Sequence, residues 1–368
     1  MKYTEKDLVQ IAKRENNTKR SYLVVDPLQG KHVPVAPSQA LDLFQALAEQ
    51  IREIYQEERL LLVGFAETAT AIGAQVAISL GAKYIQTTRE VIPNVNYLYF
   101  SEEHSHATEQ KLVKEDMDSV VEKIDRIIFI EDEVTTGNTI LHIIHILDEM
   151  YPKQCKYAVA SLLNGMSEAH MEIYQHQDIP LHYLVKTNHS TYGEKAMAFV
   201  GDGKTYDCRD VQDVSDNINI VDISHKMNAR RLVSTQVYVH ACEQLWEGVA
   251  AAIGSISNKR VLVLGTEEFM FPALYVGNKI EKKGNAVYYH ATTRSPITVS
   301  KEKAYPLHCR FILNSLYDSG RKTFLYDIDT YDKVLVITDA ERPEQEGLPS
   351  LLYAVSQYNQ DITVIRWC

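Results

Sequence analysis

One strand pattern occurs twice and limits the folds open to this chain. Arg59-Leu60-Leu61-Leu62-Val63-Gly64 is answered, 201 residues later, by Arg260-Val261-Leu262-Val263-Leu264-Gly265. Three residues past each glycine stands a glutamate, Glu67 and Glu268. Gln86-Thr87-Thr88-Arg89-Glu90 is matched by Ala291-Thr292-Thr293-Arg294-Ser295, and the segment from Asp125 to Asp132 by that from Asp332 to Asp339. Because the matches keep their order, duplication explains them better than the strand–glycine and strand–aspartate endings that any α/β units share. The period is far too long for a solenoid and implies two domains of one fold.

Within each half, apolar runs of strand length alternate with stretches of helical spacing. Leu60–Gly64, Lys83–Gln86, Ile127–Ile130, Lys156–Leu163 and Leu181–Val185 read as strands; Gln39–Glu57, Thr70–Leu80 and Thr139–Met150 read as helices. Near-continuous apolar strands between helices indicate a parallel sheet covered on both faces. The pattern lapses between about residues 200 and 232, where Gly201-Asp202-Gly203-Lys204 and Asp210–Asp222 are polar and mixed. The expectation is therefore an α/β protein of two tandem doubly wound, mostly parallel-sheet domains. They span residues 1–205 and 233–368, with 206–232 as a linker.

Charge narrows the partners. The 368 residues carry 38 Lys+Arg against 49 Asp+Glu, a formal charge of −11, which offers no general footprint for nucleic acid but leaves room for a local basic pocket. No run approaches the ~18–20 apolar residues that span a bilayer, and the N-terminal residues lack the apolar core of a signal peptide. Cys155, Cys208, Cys242, Cys309 and Cys368 are odd in number and scattered, without a CxxC, which argues against a disulfide framework or a structural zinc site. A cytoplasmic protein with reduced thiols is expected.

Chemistry concentrates in Ile127-Ile128-Phe129-Ile130-Glu131-Asp132-Glu133-Val134-Thr135-Thr136-Gly137-Asn138-Thr139-Ile140. Four apolar residues make a buried strand, and an acidic pair sits at its carboxyl end, where ligands of open α/β sheets bind. The turn that follows leads into a helix, so its backbone N–H groups and the helix N-terminus form an anion cradle. Gly137 permits positive φ and close approach of a ligand. Carboxylates beside such a cradle cannot be phosphate ligands themselves; they suit vicinal hydroxyls or a bridging Mg²⁺. A ligand with a phosphate at one end and a diol nearby is a ribose 5-phosphate.

This segment resembles the 5-phosphoribosyl-1-diphosphate (PRPP) motif of type I phosphoribosyltransferases. The resemblance implies that Glu131 and Asp132 hold the ribose 2′- and 3′-hydroxyls, and Mg²⁺ mostly through PRPP and water. It gives Thr135, Thr136, Gly137, Asn138 and Thr139 the 5′-phosphate. Ala66, Glu67 and Thr68 stand where that family keeps its pyrophosphate loop, although an ordinary βα turn reads the same way. Arg89 suits bidentate contact with diphosphate oxygens. Tyr99–Lys111 lies where the family carries a mobile flap; its His104 and His106 read as acid/base groups, metal ligands or plain loop residues. Lys31 and His32, in the position of the family's hood, are candidates for acceptor or phosphate contacts. Over nearly its whole length the chain resembles the bacterial family that joins such a domain to a C-terminal TRSP domain, named for the tetrapeptide found here as Thr293-Arg294-Ser295-Pro296. Its members are associated with tellurite-resistance-type stress gene clusters and with nucleoside-like products.

The resemblance implies displacement at the anomeric carbon of PRPP by a nitrogen or other nucleophile, with homodimers common. In the second half Thr338-Asp339 is followed by Ala340-Glu341-Arg342-Pro343-Glu344 rather than a Thr-Thr-Gly turn, so that half is expected to be a degenerate copy. Glu268, Arg294 and Ser295 remain there as candidates for another ligand, or for a scaffold. Two other functions stay open, a PRPP synthetase and a catalytically idle PRPP sensor. Synthetases keep the intact motif in their second domain, and no helix-turn-helix or basic patch supports a regulator.

Overall fold

The computed structural model describes residues 2–15, 20–100, 110–152, 154–211, 218–341 and 347–368. The chain opens with α1 (Glu5–Leu8), β1 (Gln10–Lys13) and β2 (Tyr22–Val25), then α2 (Pro37–Arg52), β3 (Leu60–Gly64), α3 (Thr70–Leu80) and β4 (Lys83–Gln86). An antiparallel pair follows, β5 (Tyr97–Phe100) and β6 (Gln110–Val113). Next come α4 (Lys114–Val120), β7 (Arg126–Val134), α5 (Asn138–Met150), β8 (Lys156–Asn164), α6 (Glu168–His176) and β9 (Leu181–Lys186). The middle of the chain forms α7 (Tyr192–Ala198), β10 (Lys204–Asp207), β11 (Asn219–Ile223), β12 (Val233–Ser234) and α8 (Thr235–Ile253). The remainder is β13 (Arg260–Gly265), α9 (Phe271–Glu281), β14 (Ala286–Ala291), β15 (Cys309–Asn314), β16 (Lys322–Tyr326), β17 (Lys333–Thr338), α10 (Gly347–Ser356) and β18 (Ile362–Trp367).

Two compact units emerge, and neither is one continuous stretch. The first comprises Met1–Thr4, Asp42–Asn188 and Met227–His240; the second comprises Glu5–Leu41, His189–Lys226 and Ala241–Cys368. In the first unit, six strands lie in the order β12-β4-β3-β7-β8-β9, parallel except for the short edge strand β12. Leu61, Leu62, Val63, Ile127, Ile128, Phe129 and Ile130 are all fully buried, as strands covered on both faces require. Gly64 and Gly73 let α3 lie directly on β3: a Cβ on Gly73 would stand 2.9 Å from the Gly64 Cα.

The second unit has an all-parallel five-stranded sheet, β11-β18-β17-β13-β14, a three-stranded sheet β10-β15-β16 and the pair β1-β2. The α/β class with mostly parallel sheets expected from the sequence is thus present in both units. Strand β11, from the stretch read as a linker, is the edge strand of the second sheet. The N-terminal segment also belongs to this unit: Ala12 and Val25 pack with Ile297, Tyr305, Phe324 and Tyr326. Among the described residues, no helix is long and apolar enough to cross a membrane.

The sequence repeat returns as a repeat of hydrogen bonds. The Arg59 N–H donates to the Asp125 carboxylate at 2.7 Å, and the Arg260 N–H to that of Asp332 at the same distance. The Thr87 N–H donates to the Gly64 carbonyl (2.9 Å), and that of Thr292 to Gly265 (3.1 Å). Thr88 exchanges both backbone bonds with Lys111, and Thr293 does so with Phe324. In each unit an antiparallel pair, β5-β6 or β15-β16, is thereby fixed beside the same threonine. In both sheets the chain steps outward from a central strand (β3 to β4, β13 to β14) and returns on that strand's other side (β7, β17). Each reversal opens a crevice at the strands' carboxyl ends.

Candidate active site

The first crevice is formed by the ends of β3 and β7. Strand β7 outruns β3: its pairing with β3 ends at Ile130, while Glu131, Glu133 and Val134 pair only with β8. The acidic residues therefore project beyond the sheet's centre. Burial, and then the neighbouring Asp132, push the Glu131 carboxyl well above the usual carboxylate range, while the Arg89 guanidinium pulls it down. Arg89, 42 residues away in sequence, is thus electrostatically coupled to the acidic pair. Such a site favours an added cation or hydroxyl donors beside Glu131 and Asp132.

The turn after β7 is shaped by Gly137, which has φ +76° and serves as the N-cap of α5. A Cβ there would meet the Tyr174 hydroxyl at 2.3 Å, so both conformation and space demand glycine. Tyr174, fully buried on α6, donates from its hydroxyl to the Gly137 carbonyl at 2.7 Å and holds the turn from beneath. Among the described residues the N-cap residues of α5 and α3 make no side-chain cap bond, although Thr136 Oγ1 accepts from the Asn138 N–H at 3.4 Å, whereas Ser167 caps α6 in the ordinary way by accepting from the His170 N–H. Helix N-termini without a side-chain cap leave first-turn N–H groups for an anion. Thr135, Thr136 and Thr139 are half-buried and Asn138 is exposed, so the turn is open to a ligand.

Across the crevice lies the loop after β3. Phe65 anchors it against Phe100 and Phe129, with ring centroids 5.8 and 6.0 Å away. The Ala66 N–H donates to Thr87 Oγ1 at 2.8 Å, while Glu67 and Thr68 are half-buried at the loop's tip. Of the residues chosen from sequence, the first unit therefore assembles Ala66, Glu67, Thr68, Arg89, Glu131, Asp132 and Thr135–Thr139 at one end of one sheet. Tyr174, Thr87 and Gln110 support these loops and were missed. A threonine in a repeated Thr-Thr-Arg triplet was the only signal among them.

Three placements depart from expectation or fall outside it. His104 and His106 lie outside the described residues. Lys31 is a fully buried residue of the second unit, where its ammonium donates to the carbonyls of Glu267 (3.2 Å) and Thr292 (3.1 Å). It ties strand ends together rather than standing open to a substrate. Arg294 is bonded to Glu267 (Nε, 2.7 Å) and Glu268 (Nη2, 3.2 Å), and the Ser295 N–H donates to Thr293 Oγ1. That cluster also includes Arg321, which reaches Glu267 at 2.9 Å, and Ser315, whose hydroxyl donates to the same carboxylate. Its positive charge is met from within.

Hard carboxylate oxygens at Glu131 and Asp132 suit Mg²⁺, an ion that takes one or two carboxylates and fills its shell with phosphate oxygens and water. Among the described residues no group of three or more metal-ligating side chains occurs, and an ion shared with a ligand requires none.

The phosphoribosyl transferase family PRTase_2 matches residues 8–194, and the TRSP domain found C-terminal to it matches residues 233–355. Among curated proteins nothing matches. Similar solved structures include three adenine phosphoribosyltransferases. That from Rhodothermus marinus is 16% identical, covers 50% of this chain and 96% of its own, and has a TM-score of 0.36. That from Leishmania tarentolae is 13% identical over 51% and 88%, with a TM-score of 0.38. That from Thermoanaerobacter pseudethanolicus is 14% identical over 50% and 97%, with a TM-score of 0.36. At such TM-scores the two family models alone carry the assignment. The chain is a phosphoribosyltransferase of the PRTase_2 family with a TRSP domain towards its C terminus.

Proposed function

We propose that the first unit uses PRPP, with Mg²⁺, to glycosylate a small acceptor, a nitrogen nucleophile, in the making of a nucleoside-like metabolite. One observation supports this above all: the Glu131-Asp132 pair runs into a turn at a helix N-terminus whose N-cap, Gly137, has no side chain and takes φ +76°. In this reading the 135–139 turn binds the 5′-phosphate, and Glu131 and Asp132 accept hydrogen bonds from the ribose hydroxyls. Arg89 and the tip of the Ala66–Thr68 loop face the diphosphate. The bond from C1 to the diphosphate oxygen breaks as the acceptor nitrogen bonds to C1 from the opposite face; diphosphate leaves with the electron pair, and the nitrogen's proton passes to solvent. The residues' task is to place the reactants and to stabilise charge on the departing group. Mg²⁺, held by Glu131 and Asp132 mostly through ligand and water, would supply further neutralisation of that charge.

The second unit, in the same proposal, is a duplicated and degenerate copy, because matched backbone bonds surround residues whose charges are already satisfied. It serves as a scaffold, with sequence modules 1–205 and 233–368 forming a cytoplasmic, homodimeric enzyme. Calorimetry with PRPP, ribose 5-phosphate and Mg²⁺ tests the reading, alongside diphosphate release with candidate nitrogenous bases. The wild type should bind both sugars, and Asp132→Asn should lose at least tenfold in PRPP affinity with unchanged circular dichroism. No affinity for any pentose phosphate would overturn the proposal.

A further inference from the structure

The Ala66 peptide groups sit in a closed ring of hydrogen bonds. The Ala66 N–H donates to Thr87 Oγ1 (2.8 Å), the Thr87 hydroxyl donates to Gln110 Oε1 (2.7 Å), and Gln110 Nε2 donates back to the Ala66 carbonyl. Donors and acceptors alternate around the ring, which fixes the orientation of the Gln110 amide: reversed, its oxygen would face the Ala66 carbonyl. Thr87 is pinned to Gly64, and the residue after Gln110, Lys111, is pinned by both backbone bonds to Thr88. Three segments distant in sequence thus converge on a single peptide of the loop. With both Ala66 groups bonded inside this ring, the loop's tip is left to Glu67 and Thr68. The Thr68 N–H has no hydrogen bond among the described residues.

The second unit shows that this carbonyl requires a donor. Glu267 holds the place of Ala66, since its N–H donates to Thr292 Oγ1 (3.0 Å) as that of Ala66 does to Thr87. Its carbonyl is taken by Lys31 Nζ. Two unrelated side chains, Gln110 and Lys31, answer one backbone need, as the cost of an unsatisfied buried carbonyl demands. In the first unit the donor is a neutral amide, which adds no charge beside the loop.

We infer that Gln110 is a positioning residue for the loop facing the diphosphate, an inference that rests on the transfer reading above. By holding the Ala66 carbonyl it fixes the course of the loop into Thr68, and with it the Thr68 amide that faces the leaving group. It has no part in holding the 5′-phosphate. Calorimetry of the full chain with Mg²⁺ tests this by titrating PRPP, pyrophosphate and ribose 5-phosphate separately. Gln110→Ala should weaken PRPP and pyrophosphate about tenfold, with ribose 5-phosphate unchanged within about twofold. Gln110→Glu, which cannot donate and adds negative charge, should weaken the first two by about a hundredfold. The retained ribose 5-phosphate affinity doubles as a folding control, and Gln110→Met, of similar length, repeats the comparison should the alanine variant be poorly folded. Unchanged PRPP affinity, or an equal loss for all three ligands, overturns the role of Gln110 while leaving the transfer reading in place. A wild type that binds none of the three overturns both.

Discussion

The loops after β3 and β13 share their backbone bonds and differ at one decisive residue. In the first unit it is Ala66, whose methyl places no carboxylate there. In the second it is Glu267, held in the left-handed region at φ +50° with its side chain only 1% exposed. A non-glycine residue there costs on the order of 1–3 kcal/mol, and the bonds from Arg294, Arg321 and Ser315 offset it. Tyr317, beyond β15, donates to the Asp339 carboxylate at 2.8 Å and lies 2.7 Å from Thr266 Oγ1, which closes the rest of that crevice. One loop thus carries a methyl at this position, whereas the other supplies a carboxylate that its own unit's arginines bind. The second unit retains its arginine, and a carboxylate of the same loop meets it.

The largest effect should come from removing that carboxylate. Glu267→Ala leaves Arg294 with Glu268 and Arg321 with Asp318. Breaking a buried ionic cluster by deleting one partner costs about 3–5 kcal/mol. Denaturant unfolding followed by a probe in the second unit measures the loss, and millimolar pyrophosphate should restore part of it. A loss under about 1 kcal/mol would show that the cluster is solvated and the comparison misdrawn.

The reverse exchange tests the first unit. Ala66→Glu sets a carboxylate where Glu267 stands, within reach of Arg89, so PRPP affinity should fall about a hundredfold while ribose 5-phosphate binds as before. Equal binding of PRPP by wild type and variant would mean that Arg89 and this loop do not meet the diphosphate.

Much of this comparison was legible in the sequence, because it rests on local patterns. The repeated strand–glycine–glutamate and Thr-Thr-Arg elements announced two related sheets, and the Glu131–Thr139 segment carried its own turn chemistry. Contacts made at long range were not legible. Lys31 lies 236 residues from the Glu267 carbonyl it holds, and nothing around Gly30-Lys31-His32 signals burial in the second unit. Gln110 and Tyr174 act through single bonds from neighbouring elements, with no motif to mark them. Ser315 and Arg321 lie in the connection between β15 and β16, a pair that no local pattern marks as a counterpart of β5-β6.

The smallest expected difference separates Asp125 from Asp332, which cap the matched Arg59 and Arg260 amides. The Arg59 guanidinium also grips Asp125, with Nε and Nη2 at 3.0 and 2.8 Å, and holds its carboxyl down at about 2. Arg260 instead turns to Asp329 and the Thr330 carbonyl, so that among the described residues the Asp332 carboxylate keeps only the backbone bond. A carboxyl depressed in the folded chain contributes stability above its unfolded pKa of about 4, and that contribution disappears as pH falls through about 2. Asp125→Asn should therefore lower the melting temperature slightly more than Asp332→Asn at pH 7, by a degree or two, and the gap should close near pH 2 and in high salt, because both residues are exposed to screening. An equal effect of the two variants at pH 7 would mean that the backbone bond, common to both units, is all that either aspartate contributes.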